Sequence, residues 1–281
     1  MNLSNVLVMC APYGNVSMMT MLTLARFQAC GAAVLTMNAS ADVSLTRCLQ
    51  AGEAQKMLQT RMDLEWVFWL DCDMAAAPAG LDMLIRYSTA LRDYLIVQGE
   101  QPGLYPSVSG CYVNRHAQPA KEIAAFALRN TEALELTITT DGSDIAGPLV
   151  PALCGLGCFL QHRTAFLLHC LSARRFDYHS ADGGRITTPE VCQSRLIHAS
   201  EYAQFIACDG QQDVWYYLNE DFDYCVRELN GGRLVYMAPT IFGHVSELLL
   251  LPDEQCVFRG LHKPKPVDDL VATAVDAQGM P

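Results

Sequence analysis

Two aspartates separated by one residue, Asp71 and Asp73, follow directly on the apolar run 66–70. The run predicts a buried strand, and side chains two residues apart in an extended chain point to the same side, with Cα atoms about 6.6 Å apart. Carboxylates near an apolar interior are costly unless a cation or hydrogen bonds compensate them. Two of them on one side can share Mg²⁺ or Mn²⁺, with substrate phosphates completing the coordination. A strand end whose acids cap the next helix or face water explains the bare pattern equally well.

A second acidic pair, Glu220 and Asp221, opens a segment with helical periodicity. Its apolar positions follow the spacing i, i+3, i+4 and i+7: Phe222, Cys225, Val226 and Leu229. This spacing predicts an amphipathic helix. Acids in a first helical turn are favoured by the helix dipole, so the pair has a purely structural explanation. The functional alternative is that one carboxylate projects from the helix N-terminus into a cleft as a general base.

The first hundred residues alternate between strand and helix patterns. We predict strands at 5–11, 33–37 and 66–70, and helices at 17–29, 44–58 and 81–91. Such alternation predicts an α/β fold, with a parallel sheet covered by helices on both faces. Ligands of these sheets bind beyond the carboxyl ends of the strands. Asp71, Asp73 and the loop at 12–15 are all expected at that edge.

The second half is less regular. We predict strands at 106–114, 134–138, 149–153 and 234–238, the last stopped by Pro239, and helices at 118–129, 163–171 and 219–229. Residues 172–213 are polar and lack a clear period, which is typical of functional or mobile segments. Residues 246–281 are interpreted as a tail with a basic cluster.

Composition narrows the class of protein. The chain has 281 residues, of which 51% are hydrophobic, enough for one large α/β domain. Its net charge of −11 gives no general electrostatic help in binding nucleic acid or an anionic membrane, although a local basic patch could do so. The 12 cysteines are scattered without a CxxC pair, which favours free thiols in a reducing cytosol. No signal peptide is expected, and no apolar run approaches the ~20 residues of a membrane span.

In this order, Asp71-Cys72-Asp73, Glu220-Asp221 and Gly243-His244 resemble the motifs of GT-A glycosyltransferases, especially family-2-like members. There a buried strand ends in DxD, a later Glu-Asp opens a helix that leads into a strand, and Gly-His follows that strand. The segments 109–112 and 155–163 look like those lining the family's sugar and acceptor cleft. The resemblance covers residues 5–245. It implies a GT-A (Rossmann-like) mixed sheet with helices on both faces, in a single domain over 1–245. A nucleotide-binding half would occupy 1–100, and an acceptor half with an irregular insertion at 172–213 would occupy 101–245.

The resemblance also implies a nucleotide pocket. Pro12 and Tyr13, after the first strand, would lie against the base and ribose. Asn38 and Arg47 are further candidates for the same pocket. Asp71 would contact the ribose or a metal-bound water.

A metal site and a base are implied next to that pocket. Asp73 and His244 would ligate the metal, with Asp71 as a further candidate ligand. The metal would stabilise charge on the leaving diphosphate, and imidazole beside carboxylate suits Mn²⁺ slightly better than Mg²⁺. Asp221 would deprotonate the acceptor hydroxyl in an inverting reaction, with Glu220 the less favoured candidate.

The implied activity is transfer of a hexosyl group from a nucleotide-sugar donor, UDP being favoured over GDP. The acceptor stays open among a glycan, a protein, a lipid-linked sugar and a modified nucleic acid such as DNA with hydroxymethylated bases. Arginines within 172–213 would suit an anionic polymer but are equally compatible with an ordinary surface. We expect a cytoplasmic location, which for a viral chain means the host cytoplasm.

Two other classes of function share parts of this pattern. Haloacid-dehalogenase-like phosphatases would use Asp71 as a nucleophile, but they usually carry Thr or Val at the position of Ala75, and their DxD follows the first strand. Sugar nucleotidyltransferases need a glycine-rich basic loop after the first strand, whereas residues 10–16 have one glycine and no basic residue. A member that binds a nucleotide or glycan without turnover is the remaining alternative.

Overall fold

The computed structural model describes residues 1–12, 16–37, 42–99, 105–112, 125–140, 143–180, 183–206, 210–211, 213–245 and 249–250. At 139–140, 143–146, 244–245 and 249–250 the description covers the backbone alone. The strands are β1 Val6–Ala11, β2 Ala33–Thr36, β3 Trp66–Asp71, β4 Met74–Ala75, β5 Ser107–Cys111, β6 Ala125–Ala127, β7 Leu134–Thr140, β8 Ser143–Cys154, β9 Cys158–His162, β10 Arg175–His179, β11 Arg185–Pro189, β12 Arg195–His198, β13 Trp215–Leu218, β14 Val235–Ile241, β15 Gly243–Val245 and β16 Leu249–Leu250. The helices are α1 Met18–Ala29, α2 Val43–Thr60, α3 Pro78–Val97, α4 Arg163–Ser172, α5 Ala199–Tyr202 and α6 Glu220–Asn230.

A mixed sheet forms the centre of the fold. Nine of the described strands belong to it, in the order β2-β1-β3-β9-β5-β14-β8-β6 with β7 paired to β8. Strands β2, β1 and β3 are parallel. Strand β9 runs antiparallel between β3 and β5, and β5 is parallel to β14. The predicted α/β class and the mixed character of the sheet are confirmed.

Two apolar cores lie on opposite faces of the sheet, because successive side chains of a strand alternate between its faces. Along β3, Val67 and Trp69 join a core shared with α2, α4 and α6. Phe68 and Leu70 join a second core shared with α1 and α3. Helices therefore cover both faces, as predicted, and β3 is buried on both sides as far as its terminal aspartate.

Local capping explains where the predicted helices begin. Ser17, Asp42 and Asn219 each accept a hydrogen bond from a first-turn backbone N–H of α1, α2 and α6, respectively. Pro78 opens α3 at a position where its missing N–H costs nothing. These ends lie within three residues of the predicted ones.

The predicted helix at 118–129 is wrong at its end, since residues 125–127 form β6 against β8. Ala125 is buried and the Phe126 ring lies 5.0 Å from that of Phe222, so pairing and burial override the helical preference of the alanines. The predicted stop at Pro239 is also wrong, because β14 continues to Ile241. The pairing of β14 with β5 shifts register between Met237 and Ile241, which is where a strand tolerates a proline.

The segment 172–213 is more regular than its polar composition suggests. Strands β10 and β11 pair antiparallel, and β12 pairs with β13. In β10, the sequence RFDYH alternates charged and aromatic side chains, and the exposed and half-buried positions alternate with it. That period of two was visible in the sequence.

The thiols are mostly enclosed. Ten cysteines of the described part of the chain form no disulfide, and all of them except Cys30 are buried. Burial raises the pKa of Cys10 to about 12. Among the described helices, none has the length together with the apolar character needed to cross a lipid bilayer.

Candidate active site

Arg47 joins the two acidic motifs. It lies on α2 with 2% of its side chain exposed, and its Nη2 donates to Asp71 Oδ1 over 2.7 Å. Its Nη1 donates to Glu220 Oε1 over 3.2 Å and also to Asp221 Oδ1. The end of β3 and the start of α6 therefore meet on one guanidinium, although they are some 150 residues apart in the chain.

Three carboxylates face one guanidinium, so the cluster holds excess negative charge. Burial opposes ionisation of Arg47, yet Asp221, Asp71 and Glu220 raise its pKa well above the usual value. Burial raises the pKa of Asp221 to about 7; Arg47 opposes this shift, whereas Asp71 and Glu220 reinforce it. A carboxyl that titrates near neutral pH is suited to accepting and returning a proton.

The β8–β9 turn brings backbone against these acids. A Cβ on Gly155 would lie 3.3 Å from Asp221 Oδ2 and only 2.0 Å from the Tyr112 hydroxyl oxygen. A Cβ on Gly157 would lie 3.2 Å from Asp71 Oδ2. The Gly157 N–H donates to the Tyr112 hydroxyl over 3.2 Å. A side chain on Gly155 would clash with the Tyr112 hydroxyl, and at either glycine its contact with the carboxylate would be tight.

The Gly-His motif lies beside the second aspartate of DxD. Strand β15 pairs antiparallel with β4, with Gly243 opposite Ala75 and His244 opposite Met74, the residue after Asp73. The turn also contacts Thr20, whose Oγ1 lies 2.9 Å from the carbonyl oxygens of both Cys72 and Met74, so that its single hydroxyl proton is shared between the two acceptors. The backbone thus places the two predicted metal-ligating positions next to each other.

The donor types at this turn suit a hard divalent cation. Asp73 offers carboxylate oxygens and is half-buried, and His244 would add an imidazole nitrogen, although its side chain lies outside the described part. Among the side chains that are described, no group of three or more His, Cys, Asp and Glu is arranged to hold a metal ion. A cation here would therefore need His244 or oxygens of a bound substrate to complete its coordination.

The predicted nucleotide-pocket residues are placed unevenly. Pro12 follows Ala11, which pairs with Asp71, so it lies at the same edge of the sheet. Arg47 was predicted for the same pocket, and in the structure its guanidinium contacts the carboxylates. Tyr13 and Asn38 lie outside the described residues.

One residue at this site, Ser194, escaped the sequence interpretation, and the role of a second, Arg47, was missed. Ser194, just before β12, donates to Glu220 Oε2 over 3.2 Å. Arg47 was recognised as a candidate, but its role as counter-ion was not. The sequence did contain an indication of this role, because Arg47 occupies an inward-facing position of α2. A buried positive charge requires a negatively charged partner.

Comparison with known proteins gives little. No protein-family model matches the chain, and no curated protein is similar to it. The crystal structure of A197 from STIV is similar with 12% identity and a TM-score of 0.42, over 89% of this chain and 95% of that one. A glycosyltransferase involved in the glycosylation of the major capsid of PBCV-1 is similar with 10% identity and a TM-score of 0.28, over 58% of this chain and 62% of that one. At these TM-scores, neither likeness bears on what the chain does.

Proposed function

We propose that this protein is a metal-dependent glycosyltransferase that moves a sugar from a nucleotide-sugar donor to an acceptor hydroxyl. One observation carries the proposal: three motifs distant in the chain meet at one edge of the sheet. Arg47 joins Asp71 to Glu220 and Asp221, and the β4–β15 pairing sets His244 beside the turn that holds Asp73. The edge lies at the carboxyl ends of β1 and β3, where sheets of this kind bind ligands.

Asp221 is the proposed general base. It takes the proton of the acceptor hydroxyl as that oxygen forms a bond to the anomeric carbon of the donor sugar. The bond from that carbon to the diphosphate breaks, and its electron pair leaves with the nucleoside diphosphate. The sugar is therefore transferred with inversion. Glu220 is the less favoured base, because its Oε1 and Oε2 are engaged by Arg47 and Ser194.

Asp73 and His244 are the proposed ligands of Mn²⁺ or Mg²⁺, which when bound supplies Lewis-acid stabilisation of the leaving diphosphate. Pro12, next to the end of β1, is proposed to lie against the nucleotide, with UDP favoured. Asp71 is proposed to contact the ribose or a metal-bound water through Oδ2, since its Oδ1 accepts from Arg47. Arg47 is reassigned from the nucleotide pocket to a positioning role.

The test is a screen of nucleotide sugars for Mn²⁺-dependent release of nucleoside diphosphate, combined with calorimetric titration of UDP and GDP. We expect one nucleoside diphosphate to bind with Mn²⁺ and the Asp73→Ala variant to lose that binding. Asp93→Ala is a matched control, because Asp93 is exposed on α3 and away from the motifs. The proposal fails if wild type does not bind a nucleoside diphosphate with Mn²⁺, or if Asp73→Ala binds it unchanged. Hydrolysis of simple phosphate esters that depends on Asp71 would instead favour the phosphatase alternative.

A further inference from the structure

The two-stranded sheet formed by β12 and β13 carries large side chains on its solvent face. Its register pairs Leu196 with Tyr217 and His198 with Trp215, and these four residues share the outward side. Leu196, Trp215 and Tyr217 are 51%, 50% and 54% exposed. The intervening pair, Ile197 and Tyr216, is buried on the opposite side of this sheet. We call the surface formed by Leu196, His198, Trp215 and Tyr217 the aromatic face.

The aromatic face begins beside the acidic pair. Strand β13 ends at Leu218, next to Asn219, the residue that caps α6. Ser194, which precedes β12, donates to Glu220 Oε2 over 3.2 Å. The Leu196–Tyr217 pair therefore lies nearest the acids, and the His198–Trp215 pair lies about 7 Å further along the strands. The face forms a strip that leads away from the proposed base.

The composition of the strip is typical of a binding surface. Single exposed apolar residues are common, but contiguous ones mark interaction sites or ligand grooves. Trp and Tyr are amphipathic, with a flat apolar ring and a polar N–H or O–H at the edge. The Trp215 ring is held edge-to-face against His198, with 5.2 Å between ring centroids and an interplanar angle of 72°. The pyranose ring has the complementary form, an apolar face of C–H groups with hydroxyls at its rim.

We propose that the aromatic face binds the acceptor of the reaction, and that this acceptor is a neutral oligosaccharide. Sugar rings would stack on Trp215 and Tyr217, with the terminal hydroxyl directed toward Asp221. The inference rests on the proposed glycosyltransferase function and adds the class of acceptor to it.

Charge around the aromatic face favours a neutral ligand. Asp213 is 99% exposed and lies 3.3 Å from His198 Nε2. The Glu201 carboxylate, also exposed, contacts Arg195, which in turn pairs with Asp223. The described charged groups beside the face are mostly acidic and the net charge of the chain is −11, so this surface is poorly suited to a polyanion such as nucleic acid.

The size of the face argues against a second copy of the chain as its occupant. Large side chains bury about 150–250 Å² each when fully covered, so three residues that are about half exposed, together with His198 at 30% exposure, offer about 300–400 Å². A stable protein interface needs about 800 Å² on each partner. A short oligosaccharide matches the available area better.

Fluorescence of Trp215 provides a direct test on the full-length protein. The chain has three tryptophans, and Trp66 and Trp69 are buried with 4% and 2% exposure, so acrylamide quenching reports on Trp215. We expect soluble hexasaccharides of glucose, N-acetylglucosamine, mannose or galactose at millimolar concentration to protect Trp215 from acrylamide for at least one sugar. If no neutral hexasaccharide alters quenching, the inference is overturned. Protection by single-stranded DNA or heparin alone would overturn it as well.

Variants of the aromatic face test whether sugar rings stack on its side chains or whether any exposed aromatic residue has the same effect on binding. Tyr217→Ala and Leu196→Ala keep the Trp215 reporter, and Tyr217→Ala is expected to weaken hexasaccharide binding about 3- to 10-fold, the range for loss of one aromatic contact. Tyr94→Ala on α3, which removes another exposed tyrosine, should leave that binding unchanged. Equal binding by wild type and by both face variants, with folding verified by circular dichroism, would contradict the inference. Titration of UDP with Mn²⁺ into wild type distinguishes failure of the acceptor inference from failure of the proposed function.

Discussion

At the residue scale, Arg47 determines whether the acidic cluster can exist. A guanidinium presents its donors in a rigid fork, which lets two terminal nitrogens serve three carboxylates. Because the cluster is nearly enclosed, removal of the cation would leave carboxylates without compensation. An uncompensated buried charge is among the most costly defects of a protein interior.

The Arg47→Ala substitution is expected to lower the free energy of unfolding by about 3–5 kcal/mol. The loss should be smaller at about pH 5 than at about pH 8, because Arg47 lowers the pKa of Asp221, and an Asp221 carboxyl that is protonated at low pH no longer needs the cation. Arg47→Lys keeps the positive charge but not the forked set of donors. Its free energy of unfolding should therefore lie between those of wild type and Arg47→Ala. Urea unfolding at both pH values measures these differences.

Arg61 supplies the control for that experiment. It pairs with Asp63 on the surface, with side chains 49% and 56% exposed. Such pairs are screened by water and contribute little. Arg61→Ala should unfold like wild type at both pH values, and an equal loss in the two arginine variants would show that the cluster around Arg47 has no special role.

The raised pKa of Asp221 predicts the pH dependence of transfer. A general base must be deprotonated, so the rate should rise with pH through about 7 and level off above it. Several charged or titratable groups of the described chain interact with Asp221: Arg47, Asp71, Glu220, Tyr112, Cys192 and Cys225. Asp221→Asn should reduce the rate about 10²- to 10⁴-fold. Initial rates of sugar transfer against pH measure both effects.

Glu220→Gln discriminates between the two acids. Removal of its negative charge should lower the pKa of Asp221, because Glu220 is one cause of the upward shift. The pH profile would then move to lower pH while the plateau rate is retained. If Glu220→Gln instead abolishes transfer and Asp221→Asn does not, Glu220 is the base.

At the element scale, the packing of one aromatic ring, that of Phe242, sets the positions of strands β14 and β15. Phe242 lies between the two strands, buried at 1% exposure, and its N–H donates to the Cys111 carbonyl over 3.0 Å. Gly110 on β5 and Gly80 on α3 both face this ring. A Cβ on Gly110 would lie 2.1 Å from two ring carbons, whereas a Cβ on Gly80 would come no closer than 3.3 Å.

Gly110→Ala should therefore displace Phe242 and the strand that carries His244. We expect a loss of about 1–3 kcal/mol in unfolding free energy, typical of overpacking, together with weaker Mn²⁺ binding. Gly80→Ala is the matched control, since it needs only a few tenths of an ångström of adjustment and places a better helix former in α3. Thermal unfolding and Mn²⁺ titration of both variants measure the effect. Unchanged Mn²⁺ binding in Gly110→Ala would show that the strand position does not govern the metal site.

At the scale of the whole molecule, the architecture could be predicted from the sequence more completely than the contacts between distant residues could. The strands of the first half could be found because apolar runs, caps and turn residues are local signals, as at Ser17 and Pro78. The order of the later strands could not, because β9 enters the sheet between β3 and β5 from a distant part of the chain. Edge strand β6 was interpreted as helix since its alanines favour helix locally and its pairing is non-local.

The candidate site divides in the same way. Motif positions such as Asp71 and Asp221 stand out by residue type and by the element they begin or end. That Arg47 lies between them depends on how α2 packs on the sheet, which no local pattern specifies. The aromatic face likewise required the register of β12 with β13, because Trp215 and Tyr217 look like core residues in the sequence alone.

The distribution of cysteines has a practical consequence. Among the described cysteines, nine thiols are buried on both sides of the sheet, from Cys10 in β1 to Cys225 in α6, and burial keeps those of Cys154, Cys158 and Cys170 protonated. A thiolate is the reactive form, so a maleimide should modify these sites only when the surrounding structure opens. Of these ten described cysteines, Cys30 should react first, and the order in which the other nine follow, identified by mass spectrometry, would map local unfolding without any introduced probe. The native chain thus contains its own reporters of which layer of the fold separates first.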